Sequence, residues 1–184
     1  MTPAPDRLVW LLRHAKTVAD PPSGGTDHER RLAPRGRRDA DALGHRLGDA
    51  GDHLGFSSAE LPRLILTSSA TRTVQTTERV LAEMTDPPAV TRREALYDAS
   101  VDEVLDELRQ VDDATHAVMV VGHNPTAHAL AMEMIAHEDK SGRRQVERRG
   151  FPTCALAVYR LSLAHWSDIA EGTATVVGLF TPPY

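Results

Sequence analysis

Arg13 and His14 stand where an apolar run stops, in Leu8-Val9-Trp10-Leu11-Leu12-Arg13-His14-Ala15-Lys16-Thr17. An imidazole can act as a nucleophile or as a general base. A guanidinium presents a planar fork of donors that matches phosphate oxygens. The pair is a plausible start for phosphoryl transfer, provided other side chains converge on it. Candidates follow other apolar runs: Ser68 to Arg72 after Leu64-Ile65-Leu66-Thr67, Asp98 after the segment near Val90, and His123 after Ala117 to Val121.

The elements that carry these groups can be read from hydrophobic pattern. Continuous apolar runs suit strands covered on both faces, which describes Leu8 to Leu12, Leu64 to Thr67 and Ala117 to Val121. Ala89 to Arg93 adds a short strand, and Cys154 to Leu161 and Ala174 to Phe180 add two more. Helical spacing of Ala40, Leu43 and Leu47 predicts a helix over about Arg37 to Ala50, stopped at Gly51. A second helix, capped by Ser68-Ser69, runs to about Met84 with Val74, Leu81 and Met84 among its apolar positions. A third follows Ser100 with the stripe Val101, Val104, Leu105, Leu108 and Val111. A fourth has Asn124 as N-cap and Pro125 in its first turn, and continues through Leu130, Met134 and Ile135. Asp20 to Asp27 reads as a loop, and the charged stretch Glu138 to Gly150 as a mobile surface loop. Its Arg143, Arg144, Arg148 and Arg149 could steer an acidic partner, although a solvated charge run is the plainer reading.

Alternation of strands and helices predicts an α/β fold: one domain over residues 1–184, a three-layer α/β/α sandwich around a mostly parallel central sheet. Ligands of open α/β sheets bind beyond the carboxyl ends of the strands. Arg13-His14, Ser68 to Arg72, Asp98 and His123 all fall at that edge.

Composition narrows the class. The 184 residues can bury a real core, and a net charge of −5 argues against a general nucleic-acid binder. Cys154 is the only cysteine, so an intramolecular disulfide is impossible and a reducing cytoplasm fits. No stretch is long enough to span a bilayer, and the first residues lack a signal peptide's basic start. No CxxC, HExxH or GxxxxGKS pattern occurs, so neither a structural zinc site nor a P-loop is suggested.

Taken together, Arg13-His14-Ala15, Ser69-Ala70-Thr71-Arg72-Thr73-Val74-Gln75-Thr76 and Gly122-His123-Asn124-Pro125 resemble the motifs of the histidine phosphatase superfamily, with its phosphoglycerate-mutase-like fold. Three details resemble its SixA-like branch of phosphohistidine phosphatases. Ala15 stands where most of the superfamily has Gly. Leu32-Ala33-Pro34-Arg35-Gly36-Arg37-Arg38-Asp39-Ala40 is similar to that branch's stretch after the first loop. The short chain, with Phe151-Pro152-Thr153 before a strand, also fits.

The resemblance implies roles. His14 would attack phosphorus and carry a covalent phosphohistidine. Arg13 and Arg72 would clamp the phosphoryl oxygens, and His123, protonated or in a suitable tautomer, would donate to them. The helix after Pro125 would aim its dipole at the anion, with no metal or cofactor required. Lys16 stands open between a solvated loop residue and a phosphate contact. Asp98 stands open between a general acid, where many relatives have Glu, and a turn residue. An imidazole leaving group needs an acid far less than an alcohol does, so a weak acid favours protein phosphohistidine as substrate, on a phosphorelay or phosphotransferase carrier. A small-molecule phosphomonoesterase is the alternative, and a non-catalytic phosphate-binding or interaction module a more distant one. The expected partner is therefore a phosphorylated protein or a small phosphorylated substrate, with no nucleic acid and no membrane, around a cytoplasmic monomer or weak oligomer. Asp20, near a position where relatives carry a phosphate-binding Asn, would repel phosphate and is given no role. Cys154 reads as a small buried hydrophobe, and His28, His45, His53, His116, His128, His137 and His165 read as surface or core residues.

Overall fold

A computed structural model describes residues 6–48 and 54–184. Six strands form one sheet: β1 (Asp6–Arg13), β2 (Leu64–Ser68), β3 (Ala89–Arg93), β4 (Ala117–Gly122), β5 (Leu156–Ser162) and β6 (Thr175–Phe180). Their order is β3-β2-β4-β1-β5-β6. The pairs β2–β3, β2–β4 and β1–β4 are parallel, whereas β5 runs antiparallel to both β1 and β6. The mostly parallel sheet is as expected.

Helices α1 (Pro34–Gly48) and α2 (Thr71–Leu81) cover one face, and α3 (Val101–Arg109), α4 (Thr126–Glu133) and α5 (Lys140–Arg149) the other. Side chains of β1 feed both cores alternately: Val9 and Leu11 into one, Leu8, Trp10 and Leu12 into the other. A strand buried on both faces has no solvent side, which is why its sequence shows no alternation. Fully burying each such side chain is worth about 1.5–3 kcal/mol. Trp10 adds a polar anchor, its Nε1 donating to the Glu60 carbonyl at 3.1 Å. Among the described residues no helix is long and apolar enough to cross a membrane.

Three local expectations need correction. The charged stretch 138–150 is largely helix α5, not a loop. Only Gly142 and Val146 are buried on it, one turn apart, too few for a visible apolar stripe. Asp139 caps it by accepting from the Gly142 N–H at 2.8 Å, and Gly150 ends it at φ +62°. Ser68 and Ser69 do not cap α2: Ala70 holds the N-cap position, and the serines face the site instead. The fully buried residues of α2 are Arg72, Thr73, Thr76, Thr77 and Val80, while Leu81 and Met84 pack partly buried against the same core. Thr73, Thr76 and Thr77 hide their hydroxyls by donating to the Ala70, Arg72 and Thr73 carbonyls, so three buried positions look polar in sequence. Asn124 is not the cap of α4, whose N-cap is Pro125; the Asn124 amide donates to the Phe151 carbonyl at 3.3 Å. The expected stop at Gly51 lies outside the described residues.

Candidate active site

His14 sits one residue beyond β1, with its backbone held on both sides. Its N–H donates to the Gly122 carbonyl at 3.0 Å, and its carbonyl accepts from the Cys154 N–H at 3.1 Å. The next N–H, of Ala15, donates to Thr76 Oγ1 at 3.0 Å, which ties the strand end to α2. The His14 ring is buried, and its Nδ1 lies 2.8 Å from the Ala15 carbonyl. A carbonyl can only accept, so Nδ1 carries the proton and Nε2 keeps its lone pair. Burial first, then the charges of Arg72, Arg13 and Arg30, lower this imidazole to about 4 against the upward pull of the Ala15 bond. At neutral pH it is an uncharged imidazole with a free Nε2 pair, the state a nucleophile needs.

His123 follows β4, its ring centroid 5.3 Å from that of His14. Arg72 Nε lies 3.2 Å from its Nδ1. Arginine only donates, so Nδ1 accepts and Nε2 bears the hydrogen, which is given to Ser68 Oγ at 2.8 Å. Burial and the Arg72 charge lower His123 to about 3. Of the two states open in sequence, the structure selects the neutral Nε2–H tautomer.

Arg72, on the first turn of α2, is 8% exposed. Its Nη1 donates to the Asp27 carbonyl at 2.8 Å and its Nη2 pairs with the Asp27 carboxylate at 3.0 Å. Asp27 also accepts from Arg30 at 2.9 Å and from the Tyr97 hydroxyl at 3.1 Å. These bonds, Arg30's foremost, hold its carboxyl below the usual range, so it stays ionised. The Tyr97 ring stands edge-on to His123 at 5.6 Å and to His28 at 4.8 Å, while His28 Nε2 lies 2.9 Å from Ser69 Oγ.

Arg13 is half-buried. Its Nη1 donates to the Phe151 carbonyl at 2.8 Å, which also accepts from Asn124 Nδ2; the buried Arg13 Nε and Asn124 Oδ1 have no hydrogen-bond partner among the described residues. Such unpaired buried groups are costly. The contrast is Arg7, equally an arginine of β1, which spends its donors on Asp113 and on the Leu163, Ala164, Asp113 and Thr115 carbonyls, a purely structural network.

The strand edge therefore brings together Arg13, His14, Arg72 and His123. Lys16 is exposed; its backbone carbonyl accepts from the Ala33 N–H at 2.9 Å. Asp98 is exposed, in the bend before the Ser100 cap. Asp20 is exposed as well. Cys154 is fully buried, and burial pushes its thiol up to about 12.

Sequence reading placed Ser68 at this edge and missed Asp27, Arg30, Tyr97 and His28. Asp27 and His28 lie in a 3-10 turn, Asp27–Glu29, inside the stretch read as a loop and a surface histidine. One signal was present: Thr26-x-x-Glu29 is a capping-box pattern, and the Glu29 carboxylate accepts from the Thr26 N–H at 2.8 Å. Tyr97 was overlooked beside the more obviously acidic Asp98.

No protein-family model matches the chain. It is 37% identical over 175 residues to an uncharacterised protein of Mycobacterium tuberculosis (strain H37Rv), covering 93% of this chain and 99% of that one. A structure from Nakamurella multipartitia, assigned as a phosphohistidine phosphatase SixA, is 31% identical, with a TM-score of 0.78 over 99% of both chains. One from Agrobacterium tumefaciens, with the same assignment, is 26% identical, with a TM-score of 0.75 over 99% of this chain and 100% of that one. With that likeness over its whole length, and with the strand-end motifs converging in space, the chain belongs to the SixA-like branch of the histidine phosphatase superfamily.

Proposed function

We propose that the chain is a phosphatase that works through a phosphohistidine on Nε2 of His14, and that its substrate is phosphohistidine on a protein. The observation that carries this reading is the 2.8 Å bond between His14 Nδ1 and the Ala15 carbonyl, which leaves the Nε2 pair free in a cationic pocket. Nε2 attacks phosphorus in line. The P–N bond to the substrate imidazole breaks, its electron pair stays on that ring, and water supplies the proton. Arg13, Arg72 and Arg30 neutralise the phosphoryl oxygens, and the Nε2–H of His123 turns from Ser68 Oγ to one of them. The phosphorylated His14 keeps Nδ1–H, so its ring is a cation and a good leaving group. Water then attacks phosphorus, and orthophosphate departs.

The substrate assignment rests on the acid. Asp27 is the carboxyl nearest Arg72, and it is held ionised, unfit to protonate an alkoxide. An imidazole can leave without such help. The test compares phosphoimidazole and a phosphohistidine peptide with glycerol phosphate. The expected result is at least hundredfold higher kcat/KM for the P–N substrates and an acid-labile phosphoenzyme that His14→Ala abolishes. Faster cleavage of glycerol phosphate would establish the small-ester alternative, with Asp98 as the acid to examine.

A further inference from the structure

Helix α5 carries five basic residues, Lys140, Arg143, Arg144, Arg148 and Arg149, against one acid, Glu147, in a chain of net charge −5. Most arginines elsewhere are spent on partners: Arg7, Arg30, Arg72, Arg79 and Arg160 all sit in ion pairs. None of the α5 cations is in an ion pair among the described residues. Arg143 and Arg149 are tethered to the Ile135 and Leu179 carbonyls. Arg144 and Arg148, exposed and one turn apart, make neither an ion pair nor a side-chain hydrogen bond among the described residues. With Ser141, Gln145 and Arg149 they line a depression of about 390 Å³.

The helix is also continuous with the site. Phe151, two residues past its end, offers the carbonyl that takes Arg13 Nη1 at 2.8 Å and the Asn124 amide at 3.3 Å. Phe151 is three positions after Arg148, no more than about 11 Å of chain. A protein presenting a phosphate to His14 thus comes within reach of this face.

We propose that the Arg144–Arg148 face of α5 docks an acidic surface of the phosphorylated protein, beside its phosphohistidine. The inference deepens the phosphohistidine reading and rests on it for the identity of the docked protein. Charge complementarity sets the occupant: unpaired guanidiniums at a rim raise the encounter rate and select carboxylate-rich partners, with strong dependence on salt. Two free guanidiniums one turn apart match a short acidic segment rather than the long phosphate track of a nucleic acid.

The test uses the full chain, phosphoimidazole and two phosphohistidine peptides, one flanked by glutamates and one by lysines. At low ionic strength the glutamate peptide should show a KM at least tenfold below that of the lysine peptide, an advantage that salt removes. The double variant Arg144→Glu, Arg148→Glu should lose that advantage while phosphoimidazole turnover stays within twofold. An unchanged KM for the glutamate peptide in the variant would overturn the proposal. Binding of the unphosphorylated glutamate peptide, followed by fluorescence anisotropy, separates the two ideas. If neither P–N substrate is cleaved, the catalytic reading fails; a tenfold loss of peptide binding in the variant still supports the docking face, and equal binding overturns it. Tighter arginine-dependent binding of a DNA duplex or of phosphatidylserine vesicles than of the peptide overturns the assignment to an acidic protein.

Discussion

Arg72 donates its Nε–H to Nδ1 of His123 over 3.2 Å, and this one bond decides which nitrogen of the second histidine carries a hydrogen. The same guanidinium holds the carbonyl and the carboxylate of Asp27. A lysine ammonium is a point charge without the planar fork and cannot serve all three partners. Arg72→Lys should therefore lower kcat/KM for phosphoimidazole about 10²–10³-fold, on the order of 2.7–4 kcal/mol of activation free energy. Nitrogen NMR of His123 should show the Nε2–H tautomer giving way to a mixture. A variant within tenfold of wild type, with the tautomer unchanged, would exclude Arg72 from both roles.

Asp27 places a negative charge 3.0 Å from the Arg72 guanidinium that the phosphoryl oxygens would approach. The carboxylate keeps Arg72 oriented, but it also repels a second anion. Asp27→Asn keeps one acceptor oxygen, which can serve either Arg30 or the Tyr97 and Arg72 pair, and removes the charge. Inhibition by orthophosphate should tighten by about two- to fivefold, within the range of one partly exposed charge interaction. Competition assays at fixed ionic strength read this directly, and weaker inhibition would mean that orientation of Arg72 outweighs repulsion.

What the sequence made legible was whatever covalent order already encodes. The residues at the ends of β1, β2 and β4 follow apolar runs, so their convergence could be inferred from strand direction alone. Asp27, Arg30 and Tyr97 reach the site from segments whose path depends on tertiary packing, and no periodicity marks them. The threonine face of α2 was hidden for a different reason: Thr73, Thr76 and Thr77 are polar in composition but bury their hydroxyls in local bonds. Helix α5 was hidden because two buried contacts and a cap hold it, against a background of charge.

Both site histidines are held neutral, His14 near 4 and His123 near 3, against an ordinary value of 6.5. Below pH 6.5 the unfolded chain takes up protons that the folded chain refuses, so stability falls as pH drops. Above that value the two contribute no pH dependence. His14 alone accounts for a loss on the order of 3 kcal/mol by pH 4. Asp27, Glu60, Glu103 and Asp113, all lowered by their hydrogen bonds, add their losses below the ordinary carboxylate range, so the interval from 6.5 to 4.5 isolates the histidines. Urea midpoints should decline steadily across it. His14→Asn, which cannot titrate, should flatten the decline, and an unaltered slope would assign it to other groups.

Gly36, in the first turn of α1, packs on the backbone of Lys16, two residues beyond His14. A Cβ there would collide with the Lys16 carbonyl oxygen and come within 2.8 Å of its nitrogen. The segment cannot simply move away, because Ala33 N–H bonds that carbonyl at 2.9 Å and Val18 N–H bonds the Arg31 carbonyl at 3.1 Å. Gly36→Ala should therefore cost about 1–3 kcal/mol of stability, as overpacking commonly does. The strain should also pass to Ala15, whose carbonyl holds His14 Nδ1 and whose N–H is held by Thr76. Small misplacements of a reacting group can cost as much as about 10²-fold in rate. Measured where urea titration shows the variant fully folded, kcat should fall by at least about tenfold, with orthophosphate inhibition less affected. A variant that loses stability but keeps full kcat would show that the Ala15 carbonyl is insulated from the α1 contact.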